Sequence, residues 1–189
     1  DPTYNQKLPS YGLKQGDNNV YQIEKSFIND GQINWNNLYE GNLNPFNNGF
    51  ATYVLYDDRN DDRQLSINSI FETAINENIT LNSSAQYRNF SSHNFAKVVD
   101  LLGATKYLDV DSFADSNSLK QNDLQNPNRE VSVGDIFKYN YNLTSNILNG
   151  FIQTQFKYNK IDFFAAASIS NTIHQREGFY QNGKFTSNN

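Results

Sequence analysis

The chain of 189 residues has no cysteine, no methionine, one tryptophan, four prolines and two histidines. Without a thiol there is no disulfide, thiolate metal site or cysteine nucleophile, so zinc ribbons and thiol enzymes are excluded and thiol usage says nothing about compartment. Charge is sparse as well, at 19% of residues, and no Lys/Arg run offsets a net charge of −5 and a pI near 4.9. Such a surface repels phosphate, which argues against a nucleic-acid partner. No run approaches the roughly 18 apolar residues of a membrane-spanning helix, and nothing resembles a basic n-region followed by an apolar h-region. The first residues are Asp1-Pro2, and the expectation is an internal piece of something longer. Only 37% of residues are hydrophobic, under the roughly 45 to 50% of globular domains. A compact soluble core of Leu, Ile, Val and Met is not expected.

What is present is aromatic and amide. Aromatics make up 14%, and Asn alone supplies about one residue in six. The clear periodicity is 2. From Gln64 to Ile75 the odd positions Leu65, Ile67, Phe71 and Ile75 are apolar, while most even ones are polar. Asn76-Glu77-Asn78 supplies turn chemistry, and the alternation resumes through Ile79, Leu81, Ser83, Ala85 and Tyr87. The pattern predicts a hairpin with strands of about 11 or 12 residues. A second hairpin turns at Asn159-Lys160, with Ile161, Phe163, Ala165, Ala167 and Ile169 sharing a face of its return strand. Its upstream strand changes register near Asn149-Gly150, which predicts a bulge there.

Between and before the hairpins lie long polar stretches. The expected division is 1–63 mainly loop, 64–90 hairpin, 91–136 loop, 137–175 hairpin and 176–189 the start of a further loop. Phe50, Thr52, Val54 and Tyr56 are read as the possible start of a strand, broken by Asp57-Asp58-Arg59-Asn60-Asp61-Asp62-Arg63. Short turns at one end and long loops at the other depart from soluble-domain norms and fit an outer-membrane barrel. On that reading Ile79, Leu81, Ala85, Ile161, Phe163, Ala165, Ala167 and Ile169 face lipid. Gln86, Arg88, Gln153, Gln155, Lys157, Ser168 and Ser170 face the lumen, and Tyr158 and Tyr87 lie at the two interfaces.

The segments YVLYDDRNDDRQLSINSIF, LLGATKYLDVDSFAD, NPNREVSVGDIFKYNYNL and FIQTQFKYNKIDFFAAASISNTIHQREGFYQNG, with NWNNLYEGN near the start, resemble the barrel region of TonB-dependent outer-membrane receptors. The subset with a carboxypeptidase-regulatory-like N-terminal domain is the nearest in pattern. The resemblance covers most of the chain. It implies an antiparallel up-and-down transmembrane β-barrel of about 22 strands, closed by a plug that engages TonB for energised uptake of a nutrient. Neither plug, TonB-binding box nor terminal aromatic strand is found, so residues 1–189 are expected to be a barrel fragment, incomplete alone. The expected partners are the lipid bilayer, the rest of the same barrel and plug, TonB through that missing part, and a small nutrient ligand. The expected location is the outer membrane of a Gram-negative bacterium, loops extracellular. The alternative class is a secreted all-β carbohydrate-binding or adhesion module.

No enzyme is expected. His93 and His174 stand far apart without a nucleophile-elbow motif and read as polar loop and strand-end residues, so no catalytic residue is assigned. Asp58-x-Asn60-x-Asp62 has the spacing that opens a calcium loop, but Arg63 replaces the required Gly and Ser69 the bidentate Glu. It is read as a solvated loop with Asp/Arg pairing, a calcium site of another type being the alternative, and Asp109, Asp111 and Asp115 raise the same idea. No metal or cofactor is assigned. Tyr4, Tyr11, Tyr21, Trp35, Tyr39, Phe46 and Phe50 would stack on sugars or packed cofactors if they converge in a mouth, or else pin the loops. Trp35 is read in a short helical turn packing inward. Ligand-binding residues are otherwise unassigned.

Overall fold

In the computed structural model, residues 20–186 are described. Tyr4 and Tyr11 lie outside them, as do the ends of the expected 1–63 and 176–189 segments. The chain is mostly antiparallel sheet, 57% strand against 11% helix. The elements are α1 (Val20–Asp30), α2 (Trp35–Asn42), a 3-10 turn (Pro45–Asn47), β1 (Leu55–Asn76), β2 (Ile79–Asp100), β3 (Tyr107–Leu108), β4 (Glu130–Val131), β5 (Ile136–Tyr158) and β6 (Ile161–Gly178). The long strands form one sheet in the order β1-β2-β5-β6, and β3 pairs with β4. Two compact units divide the chain, one of 1–57, 97–110 and 128–137 and the other of 58–96, 111–127 and 138–189.

The main correction is in the first hairpin, whose strands are about twice the expected length, whereas the second lies close to its expected 137–175. β1 and β2 each hold 22 residues, β5 has 23 and β6 has 18. β1 begins before residue 64 and runs through Asp57–Arg63, which is strand rather than a loop. β2 continues past residue 90 to Asp100. The reason is that β1 is an edge strand, exposed along nearly its whole length. Polar side chains on both of its faces stay in water, so its extension needs no apolar alternation, only a paired neighbour. The segment also satisfies itself: Arg59 and Asp61, two residues apart and so on one face, form an ion pair at 2.8 Å. Arg59 also covers the Phe95 ring at 5.3 Å.

Both turns hold two residues, Glu77-Asn78 and Asn159-Lys160. The first is one residue shorter than expected because Asn76 is still in β1. Its side chain accepts from Asn78 N at 2.9 Å, the local bond that makes Asn a turn former. The β5–β6 ladder pairs without a slip from Tyr141↔Gly178 to Tyr158↔Ile161, so the bulge expected at Asn149-Gly150 is absent on the β6 side. Gly150 is instead opposite Ile169, where an added Cβ would lie 3.2 Å from Ile169 Cγ2. The glycine makes room for a neighbour's branched side chain. The change in apolar parity along β5 arises because Leu148 and Ile152 lie on one face and Ile147 and Phe151 on the other. The departure in β5 is at Lys138, whose φ is 66°.

Of the loop expected over 1–63, the described residues of the first unit, from 20 on, form two helices and contribute to a small core. Asn34 caps α2 by accepting from Asn37 N at 3.2 Å, and Asn44 starts the 3-10 turn by accepting from Phe46 N at 3.1 Å. Leu38, Ala51, Val98, Leu101, Leu102, Val131 and Phe137 are buried in this unit. Tyr56 and Tyr107 both meet the Phe137 ring edge-on, at 5.4 and 5.7 Å. Leu102 is 1% exposed and holds a left-handed φ of 49°, while Asp100 Oδ1 accepts from its N–H at 2.8 Å. That backbone costs about 1–2 kcal/mol, against about 1.5–3 kcal/mol from burying a leucine side chain.

Candidate functional site

The feature of the second unit that calls for a function is the exposed sheet itself. The register of β5 and β6 puts Tyr158, Phe156, Ile152 and Leu148 on one face with Ile161, Phe163, Ala165, Ala167 and Ile169. Lys157, Gln155, Gln153, Ser168 and Ser170 lie on the other. β2 pairs with β5 in the sheet, and side chains tie the two further. Asn149 Nδ2 donates to Gln86 Oε1 at 2.9 Å and Ser170 Oγ to Asn149 Oδ1 at 2.7 Å, a polar ladder across three strands. On the opposite face Asn89 Nδ2 donates to Asn146 Oδ1 at 2.7 Å and Tyr87 Oη to the same oxygen at 3.3 Å. The residues expected to face lipid on β2 and β6 therefore share one face, and Gln86 shares the other with the expected lumen residues of β5 and β6. The separation is incomplete, since Phe151 and Phe164 stand on the polar face.

Large apolar side chains on the edge strands are open to solvent: Ile70 is 83% exposed, Ile169 75% and Phe164 68%. Leaving such a side chain in water forgoes about 1.5–3 kcal/mol each. On β1 the exposed aliphatics and Phe71 run from Leu65 to Ile75, next to the turn, whereas Asp57 to Gln64 is charged or amide throughout. On β6 they run from Ile161 to Ile173. The turn end is aromatic, with Phe156 and Phe163 stacked at 4.7 Å beside exposed Tyr158.

Most of the chemistry-bearing residues have structural partners. His93 bonds Asn140 Oδ1 at 2.7 Å and packs at 4.4 Å on Phe95, while His174 lies opposite Ser145 on β6. Asp58 accepts from Tyr139 Oη at 2.9 Å. Asp109 is 2% exposed and pairs with Arg129 at 2.6 Å, and Arg129 also donates to Ile136 O at 2.7 Å. Asp111 pairs with Lys184 at 2.5 Å, and that bond, followed by the one from Phe113 N, holds its carboxyl below the ordinary 3.8. Among the described residues no three His, Asp or Glu gather as metal ligands.

The loop aromatics divide. Trp35 is 47% exposed, so it does not pack inward; Leu38 is the α2 side chain that does. Trp35, Tyr39 and Leu43 lie one turn apart, all exposed, and Phe46 is 92% exposed. Phe50 is covered by Lys106 Nζ at 4.2 Å. The side chain of Tyr21 lies outside the description. Residue patterning missed the second unit's connection, residues 111–127, where Gln121, Asn122 and Asp123 are buried. Buried polar side chains in a polar segment leave no periodic signal. No protein-family model matches the chain, and no curated protein matches it.

Proposed function

We propose that the four long strands are staves of an outer-membrane β-barrel in a TonB-dependent receptor that takes up a nutrient of the siderophore, glycan or peptide class. The receptor class rests on the sequence resemblance. The membrane reading is carried by one observation, the confinement of exposed aliphatic side chains on β1 to the turn-proximal segment Leu65–Ile75. Eleven residues at about 3.3 Å each span about 36 Å of strand. Tilted at about 45°, they cover about 26 Å of bilayer, close to the roughly 25 Å apolar band of such barrels. The charged half of β1 then stands in water on the side of the long connections, and the Phe156, Phe163 and Tyr158 group falls at the opposite interface. The outer edges of β1 and β6, unpaired among the described residues, accept the remaining staves. A closed sheet leaves no edge. The chain on this reading binds and conducts, and performs no covalent step; plug and TonB contacts belong to other parts of the receptor.

The absence of cysteine makes the test direct. Single substitutions from Asp162→Cys through Ile169→Cys, each carrying an environment-sensitive fluorophore, are read in vesicles containing a lipid-borne quencher. Strong quenching at 163, 165, 167 and 169 with weak quenching at 162, 164, 166 and 168 is the expected pattern. A profile without alternation, or no quenching anywhere, defeats the reading.

A further inference from the structure

Residues 111–120 close on themselves. Asp111 N donates to Lys120 O at 2.7 Å, Ala114 N to Asp111 O at 3.2 Å, and Lys120 N to Ser116 O at 3.0 Å, giving a compact loop with its ends together. Phe113, at 93% exposure, stands on it, its backbone N–H held by Asp111 Oδ1 at 3.0 Å. The next residues are clasped by the segment that follows β6. Leu124 N donates to Gln181 O at 2.7 Å, Gly183 N to Gln121 O at 2.9 Å, and Gln181 N to Asp123 Oδ1 at 3.2 Å. Lys184 reaches Asp111 Oδ2 at 2.5 Å. The two segments touch most closely at Gly183, where an added Cβ would fall 2.0 Å from Ser118 O and 3.1 Å from Leu119 Cα. Only glycine fits under that carbonyl.

The composition of this contact matters as much as its geometry. The buried side chains of residues 111–127 are Gln121, Asn122 and Asp123, and the bonds of this stretch to the segment after β6 are hydrogen bonds and one part-exposed ion pair. Bonds of that kind exchange with water at small net gain, and segments with few buried apolar contacts open separately from the elements they rest on. We infer that residues 111–127 form a strap with a closed and an open position, and that the clasp from residues 181–184 is the releasable contact setting where the Phe113 loop is presented. This does not depend on the receptor reading, since it concerns segments outside the strands.

The test is hydrogen exchange on the full chain in detergent, wild type against Gly183→Ala and Lys184→Gln. In Gly183→Ala the Leu124 and 183 amides are expected to exchange about tenfold faster or more, while the β5–β6 ladder amides keep their protection. In Lys184→Gln the acceleration is expected only at Asp111 and Phe113, by about two- to fivefold. Unchanged strap amides in Gly183→Ala overturn the proposal, because the clasp then does not govern the strap. Loss of ladder protection together with the strap, or failure of Gly183→Ala to fold, overturns it too, because the strap then belongs to the sheet's cooperative unit. Either failure leaves the lipid-quenching pattern of β6 unaffected, so the two proposals fail separately.

Discussion

Asn42 illustrates what amides do in a chain so rich in them. It is 2% exposed, at the end of α2, and uses four bonds: its Nδ2 donates to Tyr53 O and Leu101 O, each at 2.7 Å, and its Oδ1 accepts from Thr52 N and Tyr53 N, each at 2.8 Å. One side chain thereby satisfies backbone groups from two segments far apart in sequence. Asn42→Ala orphans all four and is expected to destabilise the first unit by about 2–4 kcal/mol. Trp35, the sole tryptophan, reports it as a lowered urea midpoint. A change under about 0.5 kcal/mol would mean that water replaces the amide. None of this is visible in sequence, where Asn42 is one Asn among many. Nor could spacing tell that Asp109 and Asp111 pair with Arg129 and Lys184, because the basic partners come from distant positions.

At the scale of elements, the tight turns and the alternating halves of β1, β2 and β6 were legible, because periodicity and Asn turn chemistry are local properties. The charged half of β1 was not. A run such as Asp57 to Arg63 reads as a loop when judged by its own side chains, yet an exposed edge strand tolerates them on both faces. In the chain by itself, where the outer edge of β1 has no neighbour among the described residues, those charges also oppose the stray pairing that a complete barrel excludes. Replacing Asp61, Asp62 and Arg63 together with valine lengthens the apolar ribbon and removes the guard. Faster fibrillar association, followed by thioflavin fluorescence in dilute detergent, is the expected outcome. Kinetics equal to wild type would assign the charges another purpose.

At the scale of the whole molecule, exposed aliphatic side chains and two edges unpaired among the described residues cannot rest in water at low cost. Stripped of detergent, the chain is expected to associate into large species and to lose any cooperative melt, with dispersal on return of detergent. Size-exclusion light scattering checks both. A soluble monomer with a sharp melt in plain buffer would mean that the aliphatic stripe is covered in solution and would count against the barrel.

The sequence by itself determined the β class, the positions of the two tight turns and the alternation that separates the sheet's faces, since each depends on residues within a few positions of one another. Tertiary structure decided the rest. It doubled the strands of the first hairpin because pairing with a neighbour sustains extended backbone where side-chain pattern stops. It placed glycine at positions 150 and 183 against partners from elsewhere in the chain. It also turned scattered Asn and Asp into buried bonding centres, because a polar group's fate depends on the partner folding brings within about 3 Å, and that distance is not written along the chain.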